Sequence, residues 1–435
     1  MIEVISTKEK ERLGSKLKCI RNRNVALDAE LMHEVAMIIH DVRTHGDAAL
    51  IDLAARFDRV VMQPADLRVS EETLREMASR ADREVLEALR ESIFRVREFH
   101  EHERLLSWEF DGSNGVRLGQ RITPIERAGV YVPGGSAAYP SSVVMNVVPA
   151  QVAGVDRIIV ATPPPTIQEN PAVAAALVEL NVTEVYAIGG AQAIAALAWG
   201  TETVPCVDKI TGPGNRYVAA AKKQVFGVVG IDSIAGPTEV VIIADETVDA
   251  SFIASDLLAQ AEHSEDACAL LLTTDQRLAL KVVRKLATQM CKLPRFDVLE
   301  KSLSRYGAII VVEDMDEAVN LVNELAPEHL EIMARNEDFI ASRIRHAGAI
   351  FLGAYSPEAV GDYLAGPNHV LPTAGAARFS SPLSVCDFLK RTNTVKYSAA
   401  ELKRTAPMIA ALARAEGLEA HAQSALIRIE EVVNQ

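Results

Sequence analysis

The chain has 435 residues, 24% of them charged and 49% hydrophobic, with 45 lysines and arginines against 59 aspartates and glutamates. That length exceeds what one core usually fills, so two sizeable domains are expected, and the composition excludes a disordered chain. The acidic balance, with its basic residues scattered, disfavours nucleic acid as a partner, and no run of about 18 apolar residues offers a membrane span.

Taken in chain order, residues 1–10 mix charged and apolar side chains and do not read as a secretion signal, which points to a cytoplasmic enzyme. Apolar spacing over residues 30–42 (Leu31, Val35, Ile38, Ile39) and 82–99 (Val85, Leu86, Leu89, Ile93, Phe94) predicts helices, so the first hundred residues read as a helical layer. From Gly129 short apolar runs alternate with helical stretches, at 130–132, 158–161, 185–188, 240–244, 269–273, 308–312 and 349–352. Such alternation predicts parallel sheets wrapped by helices. Several runs end in glycine or proline clusters (Pro133-Gly134-Gly135, Pro163-Pro164-Pro165, Gly189-Gly190, Gly353), the expected rim of a site at strand carboxyl ends. Past Val385 the chain is expected to be helical again, over 405–415 and 420–433, and no internal repeat is visible.

Cys19, Cys206, Cys268, Cys291 and Cys386 are far apart and form no CxxC pair, so they read as small apolar residues. A metal must then be held by histidine, carboxylate or amide groups. Over residues 255–263 a helix with Ser255 near its cap puts Gln260 and His263, three apart, on one face. In Ala326-Pro327-Glu328-His329, Pro327 suits the first position of a helix, placing Glu328 and His329 in the opening turn. There the dipole favours an ionised carboxylate and a neutral imidazole, both ready to act as bases. The Gly- and Pro-rich segment 357–373 carries Asp362 and His369, and Gly417 ends one helix so that His421 falls in the first turn of the next.

Each cluster alone has an ordinary structural explanation as a surface pair, an acidic helix start or a turn cap. Together Gln260, His263, Asp362 and His421 offer two imidazoles, a carboxylate and an amide oxygen, a set that suits zinc. Glu328 and His329 remain free for proton transfer. The other histidines (His33, His40, His45, His100, His102, His346) lie among charged helical residues and are expected to face solvent. Residues 183–194 and 211–217 each read as a glycine turn opening a helix, but neither matches GxGxxG followed by an acid about 20 residues on, so the Rossmann fingerprint is absent.

The chain closely resembles the histidinol dehydrogenases, on motifs that run in order along nearly its whole length. They are Tyr131-Val132-Pro133-Gly134-Gly135, Gly189-Gly190-Ala191-Gln192-Ala193, Gly212-Pro213-Gly214-Asn215, Asp256-Leu257-Leu258-Ala259-Gln260-Ala261-Glu262-His263, Ala326-Pro327-Glu328-His329-Leu330, Gly366-Pro367-Asn368-His369-Val370-Leu371-Pro372-Thr373 and Glu416-Gly417-Leu418-Glu419-Ala420-His421. The resemblance implies zinc- and NAD-dependent oxidation of L-histidinol to L-histidine through a bound aldehyde, the last step of histidine biosynthesis. It implies that Gln260, His263, Asp362 and His421 bind zinc, that the metal also takes substrate nitrogens, and that His329 and Glu328 are the catalytic bases. Thr238, His369 and Glu416 would hold substrate, and Tyr131, Gln192 and Asn215 would contact NAD. It further implies an α/β fold of two incomplete Rossmann-like domains: 28–130 with 239–383 carrying zinc and the catalytic residues, and 131–238 binding NAD. A helical arm at 1–27 and a C-terminal unit at 384–435 complete it. In that family the C-terminal unit completes the site of the other subunit of a homodimer, so Glu416 and His421 would act in trans. Thr238 stands where many members carry serine.

Three rivals make different predictions. A related zinc and NAD dehydrogenase would prefer another small diol or amino alcohol. A zinc hydrolase using Glu328 to activate water would turn over without NAD. A non-catalytic metal-binding scaffold would be unaffected by loss of His329.

Overall fold

A computed structural model describes residues 2–23, 29–134 and 139–430; Gly135, from the first motif, lies outside them. The chain divides into two compact units, Met1–Glu103 with Glu126–Phe388, and Arg104–Ile125 with Leu389–Gln435.

Two six-stranded sheets organise the first unit. One runs Glu3–Ser6, Ala308–Val311, Cys268–Thr273, Glu239–Ala244, His329–Met333, Ala349–Leu352, all parallel. The other runs Arg68–Val69, Glu184–Ala187, Arg157–Thr162, Arg127–Tyr131, Lys209–Thr211, Gly230–Ile231, parallel except where Arg68–Val69 pairs antiparallel with Glu184–Ala187. Each sheet takes one edge strand from the first hundred residues. The remaining five strands of each share one wiring: the earliest lies in the middle, the next two step out on one side, and the last two on the other. This is the order of a Rossmann half, with its switch point between first and fourth strands. The fold therefore contains a repeat that the sequence does not display.

All seven apolar runs form strands. In the central strands continuous hydrophobicity follows from burial on both faces: Val240, Ile242 and Ala244 pack with helix Ala250–Ala261, while Val241 and Ile243 share a core with helices Lys10–Asn22 and Met315–Leu325; the edge strand Ala349–Leu352 leaves Ile350 and Leu352 exposed. Part of the helical layer packs on the second sheet, where Leu31, Val35, Ile39 and Leu50 share a core with Tyr131, Ile159 and Ile194.

Helix Arg83–Glu101 also turns a different face inward. Its buried positions are Leu89, Ser92, Val96 and His100, whereas Val85 and Phe94 are exposed. Two of these inward groups are polar and satisfied. Ser92 Oγ donates to the Tyr363 carbonyl at 2.6 Å, and His100, expected at the surface, is fully buried with Nδ1 2.6 Å from Glu103 Oε2.

The second unit opens on strands where helix was expected. Leu389–Lys396 pairs antiparallel with Arg117–Pro124, which pairs with Trp108–Asp111; helices Ala399–Ala415 and Glu419–Glu430 follow. Ala410, Ala413 and Ala422 form the small core between these two helices.

Candidate active site

In the first sheet the central strands Glu239–Ala244 and His329–Met333 begin side by side, Val240 opposite His329. Helix Met315–Leu325 ends at Ala326, which takes the left-handed region (φ 52°), and Pro327 cannot continue it. Glu328 and His329 therefore enter a strand, not the opening turn of a helix as their proline suggested. Alternation along that strand sends His329 and Glu331 to one face and Leu330 and Ile332 into the core on the other. Helix Ala250–Ala261 presents Asp256 and Gln260, four apart, toward this polar face. It is capped by Asp249, whose side chain accepts from the Ser251 N–H at 2.7 Å, so Ser255 lies inside the helix and not at its cap.

Glu328 is buried, and its Oε2 accepts from Thr238 Oγ1 at 2.6 Å and from the Glu239 N–H at 3.0 Å. Burial outweighs these bonds and pushes its carboxyl up to about 7. His329 is buried beside it, and burial pushes its imidazole down to about 4, leaving it neutral. Its Nδ1 lies 3.3 Å from the Glu239 carbonyl oxygen, which can only accept, so Nδ1 carries the proton and Nε2 keeps its lone pair. The couple is thus a neutral imidazole base next to a carboxyl that exchanges its proton near neutrality, the tuning that general acid–base chemistry requires. Arg23, itself buried, forms an ion pair with Glu239 and donates to the Thr238 carbonyl at 3.1 Å, anchoring the loop that carries the Thr238 hydroxyl.

Metal-ligating atoms gather next to this couple. His263, Glu358 and Asp362 offer atoms all within 4.8 Å of one another, the one such trio among the described residues. His263 lies just beyond its helix, with Nδ1 3.1 Å from the Ala259 carbonyl and 3.3 Å from that of Gln260. This fixes the proton on Nδ1 and leaves Nε2 to bind a cation. The Gln260 amide, fully buried, bridges Thr238 and Glu358. With its nitrogen toward Glu358 it donates to both carboxylate oxygens at 2.8 and 3.0 Å; turned over, it donates to Thr238 Oγ1 at 2.8 Å and sets its oxygen against the Glu358 carboxylate. The second orientation completes a donor chain from Gln260 through Thr238 to Glu328, and a divalent cation would stabilise its two facing oxygens.

Charge leads to the same fit. Burial first, then repulsion from Asp362, Glu328 and Glu331, raises the Glu358 carboxyl well above its usual range. Burial also raises Asp256, to about 6, and raises Glu331 further; these two share a hydrogen bond. A site with this many carboxylates around the His263 imidazole fits a divalent cation.

A second site lies at the carboxyl ends of the other sheet, across its switch point. Tyr131, Gly134, Pro163, Gly190, Gln192 and Asn215 line a cavity of about 500 Å³. The Tyr131 hydroxyl accepts from the Gly190 N–H at 3.0 Å, and burial pushes it up to about 12. Gly190 takes φ 63° at the helix entrance, and Asn215 caps helix Arg216–Val225 by accepting from the Tyr217 and Val218 N–H groups at 3.0 and 3.2 Å. The shape suits a dinucleotide whose phosphates face helix N-termini.

The structure thus brings Thr238, Gln260, His263, Glu328, His329 and Asp362 into one cluster. His369 joins it, with Nδ1 3.2 Å from the Asp362 carbonyl, and burial lowers its imidazole. Asn368 holds that loop by donating to the Met145 carbonyl at 2.6 Å. Tyr131, Gln192 and Asn215 line the other cavity. Glu416 and His421 are exposed and lie on the second unit, on either side of Gly417 (φ 76°). Sequence reading missed Glu358, although it lies one helical turn before Asp362 on helix Glu358–Tyr363 and so shares its face.

The sequence matches the family model described as histidinol dehydrogenase over residues 21–429. It is 52% identical over 402 residues to the histidinol dehydrogenase of Geobacillus kaustophilus, covering 92% of this chain and 94% of that one. With the Bacillus cereus histidinol dehydrogenase it shares 48% identity over 430 residues, covering 99% and 100%. The crystal structure of histidinol dehydrogenase from Elizabethkingia anophelis is similar at a TM-score of 0.90 and 35% identity, covering 96% of each chain.

Proposed function

The chain belongs to the histidinol dehydrogenase family, an oxidoreductase of the histidinol step in histidine biosynthesis, and from this premise we propose that it takes L-histidinol to L-histidine in two successive NAD-linked oxidations at one zinc-holding site. The observation that carries the reading is the couple of Glu328 and His329 tuned for proton exchange beside converging cation ligands.

In this reading Gln260, His263 and Asp362 hold zinc, and His421 of the partner subunit in a homodimer supplies the missing imidazole. When bound, zinc supplies a Lewis-acid anchor for the substrate's imidazole and amine nitrogens and no electrons. NAD, contacting Tyr131, Gln192 and Asn215, supplies the hydride acceptor for both oxidations. Nε2 of His329 takes the alcohol proton as the carbinol carbon gives up its hydride, leaving the aldehyde. Glu328, as carboxylate, then takes a proton from water as the water oxygen bonds to the aldehyde carbon, while the protonated His329 returns its proton to the former carbonyl oxygen. The hydrate loses a second hydride to NAD and a hydroxyl proton to the freed Nε2 of His329, which returns the carbonyl as a carboxylic acid. Electrons balance: four leave the substrate as two hydrides, and one water oxygen stays in the product.

Thr238 positions Glu328 through its 2.6 Å bond and, with His369 and Glu416 of the partner subunit, holds substrate. A cytoplasmic location accords with the absence of a membrane-spanning helix among the described residues and with five unpaired cysteines. The test is NADH yield and metal content of the purified protein with histidinol and with other small amino alcohols. Two NADH per histidinol, with zinc bound and histidinol preferred, is expected; turnover without NAD, or preference for another alcohol, overturns the reading.

A further inference from the structure

The cavity of the second sheet is lined by a carboxylate, Asp58, one of whose oxygens has no hydrogen-bond partner among the described residues. Asp58 closes a π-helical turn, Ala54–Asp58, and the residue after it, Arg59, takes the left-handed region at φ 58°. Such irregular turns persist where the surrounding structure holds them in place, often at functional positions. The Asp58 side chain lines the cavity beside Phe57, Tyr131 and Gln192, and its Oδ2 is buried without a hydrogen-bond partner among the described residues. Burial raises its carboxyl. A carboxylate left in this state costs stability until a ligand supplies donors.

The cavity also shows which end of a dinucleotide it takes. None of its lining residues belongs to the sheet that carries His329, so the ring that receives hydride must extend away from it and the adenosine half remains inside. Phe57 is half exposed next to Asp58 and offers an aromatic face to a base. The described lining includes two carboxylates, Asp58 and Glu169, and no lysine or arginine. Such a wall matches hydroxyl donors and opposes an additional phosphate.

We propose that Asp58 recognises the adenosine ribose of NAD by accepting hydrogen bonds from its free hydroxyls, and that the same carboxylate excludes NADP, whose ribose phosphate would meet an uncompensated negative charge. The proposal rests on reading this cavity as the NAD site. An acid on a ribose hydroxyl is the usual Rossmann solution, here supplied from the helical layer and not from a position following the glycine turn.

The test is binding of NAD and of NADP to the full chain without histidinol, by calorimetry and thermal shift, for the parent, Asp58→Asn, Asp58→Ser and Gln192→Ala. Both Asp58 variants are expected to weaken NAD binding about 10- to 100-fold, the worth of hydrogen bonds to a charged group, and to narrow the preference for NAD over NADP. They should leave KM for histidinol unchanged and keep or raise the ligand-free melting temperature, because an unpaired buried charge is removed. NAD binding unchanged in the Asp58 variants but weakened in Gln192→Ala overturns the role of Asp58 and leaves the cavity as the NAD site. Binding unchanged in all three overturns the cavity reading and the proposal with it, and weaker NAD binding with NADP still fully excluded overturns the exclusion.

Discussion

The two sheets of the first unit are wired alike and used at opposite ends. In the second sheet the cavity lies at the carboxyl ends of Arg127–Tyr131 and Lys209–Thr211, where the switch point of an open α/β sheet normally places a ligand. In the first sheet the corresponding strands, Glu239–Ala244 and His329–Met333, carry the proposed reactive groups at their amino ends. The difference lies in what occupies the strand starts. Thr238 and Glu328 precede the two strands and His329 opens one of them, so the strongest hydrogen bonds of the site form before the ladder begins. In the proposed function one topology serves two tasks: glycine turns at one end would accommodate a cofactor, and buried polar side chains at the other would tune proton transfer.

If the amino-end cluster carries the chemistry, its loss should be felt most at His329. His329→Asn, with zinc retained, is expected to lower kcat by about 10²- to 10⁴-fold, measured by NADH formation beside metal analysis. A variant near parental rate would move the chemistry to the other end of the fold. Next in size is Glu358→Gln, which removes one of the three converging groups and the carboxylate facing Gln260. Zinc affinity should fall about 10- to 100-fold, read by competition with a chelator, while NAD binding stays unchanged. Weakening of both together would mean that the two sites do not act as separate centres.

A smaller effect sharpens the comparison through pH. Glu328 has a folded value of about 7 against an ordinary 4.5, so the metal-free folded state binds its proton more tightly than the unfolded chain. Its contribution to stability therefore declines as pH rises from 4.5 to about 7 and is constant above. His329, lowered from 6.5 to about 4, works in the other direction, and its contribution is lost as pH falls through that window. Glu328→Gln removes only the first of these. The stability of this variant minus that of the parent, from denaturant unfolding of metal-free protein, should grow between pH 4.5 and 7 and then level off. A difference independent of pH would show that burial does not tune Glu328. The smallest expected change is Thr238→Ser, which keeps the hydroxyl bond to Glu328 and removes one methyl, shifting the rate by no more than about fourfold.

What could be read from the sequence was local. Seven apolar runs gave seven strands, the central ones because parallel strands buried on both faces must be apolar, and the motif clusters named most of the residues that converge. The errors arose where tertiary pairing overrode a local signal. Pro327 suits a helix start, yet the strand that follows is fixed by pairing with Glu239–Ala244 on one side and Ala349–Leu352 on the other. The face of helix Arg83–Glu101 was misjudged because Ser92 and His100 are buried through hydrogen bonds that no apolar period reveals. The repeated wiring was invisible for a similar reason: strand order is a property of long-range contacts, and the two halves share no motif. Glu358 was legible in principle from its spacing to Asp362, but only once that segment was known to be helical.

The most direct test of the division of labour between His329 and Glu328 is the number of NADH formed per histidinol by Glu328→Gln. With His329 intact, the first oxidation should proceed and the second should stall for want of a base to activate water, giving one NADH and a trapped aldehyde in place of two NADH and histidine. Two NADH per histidinol at the parental rate would contradict the account.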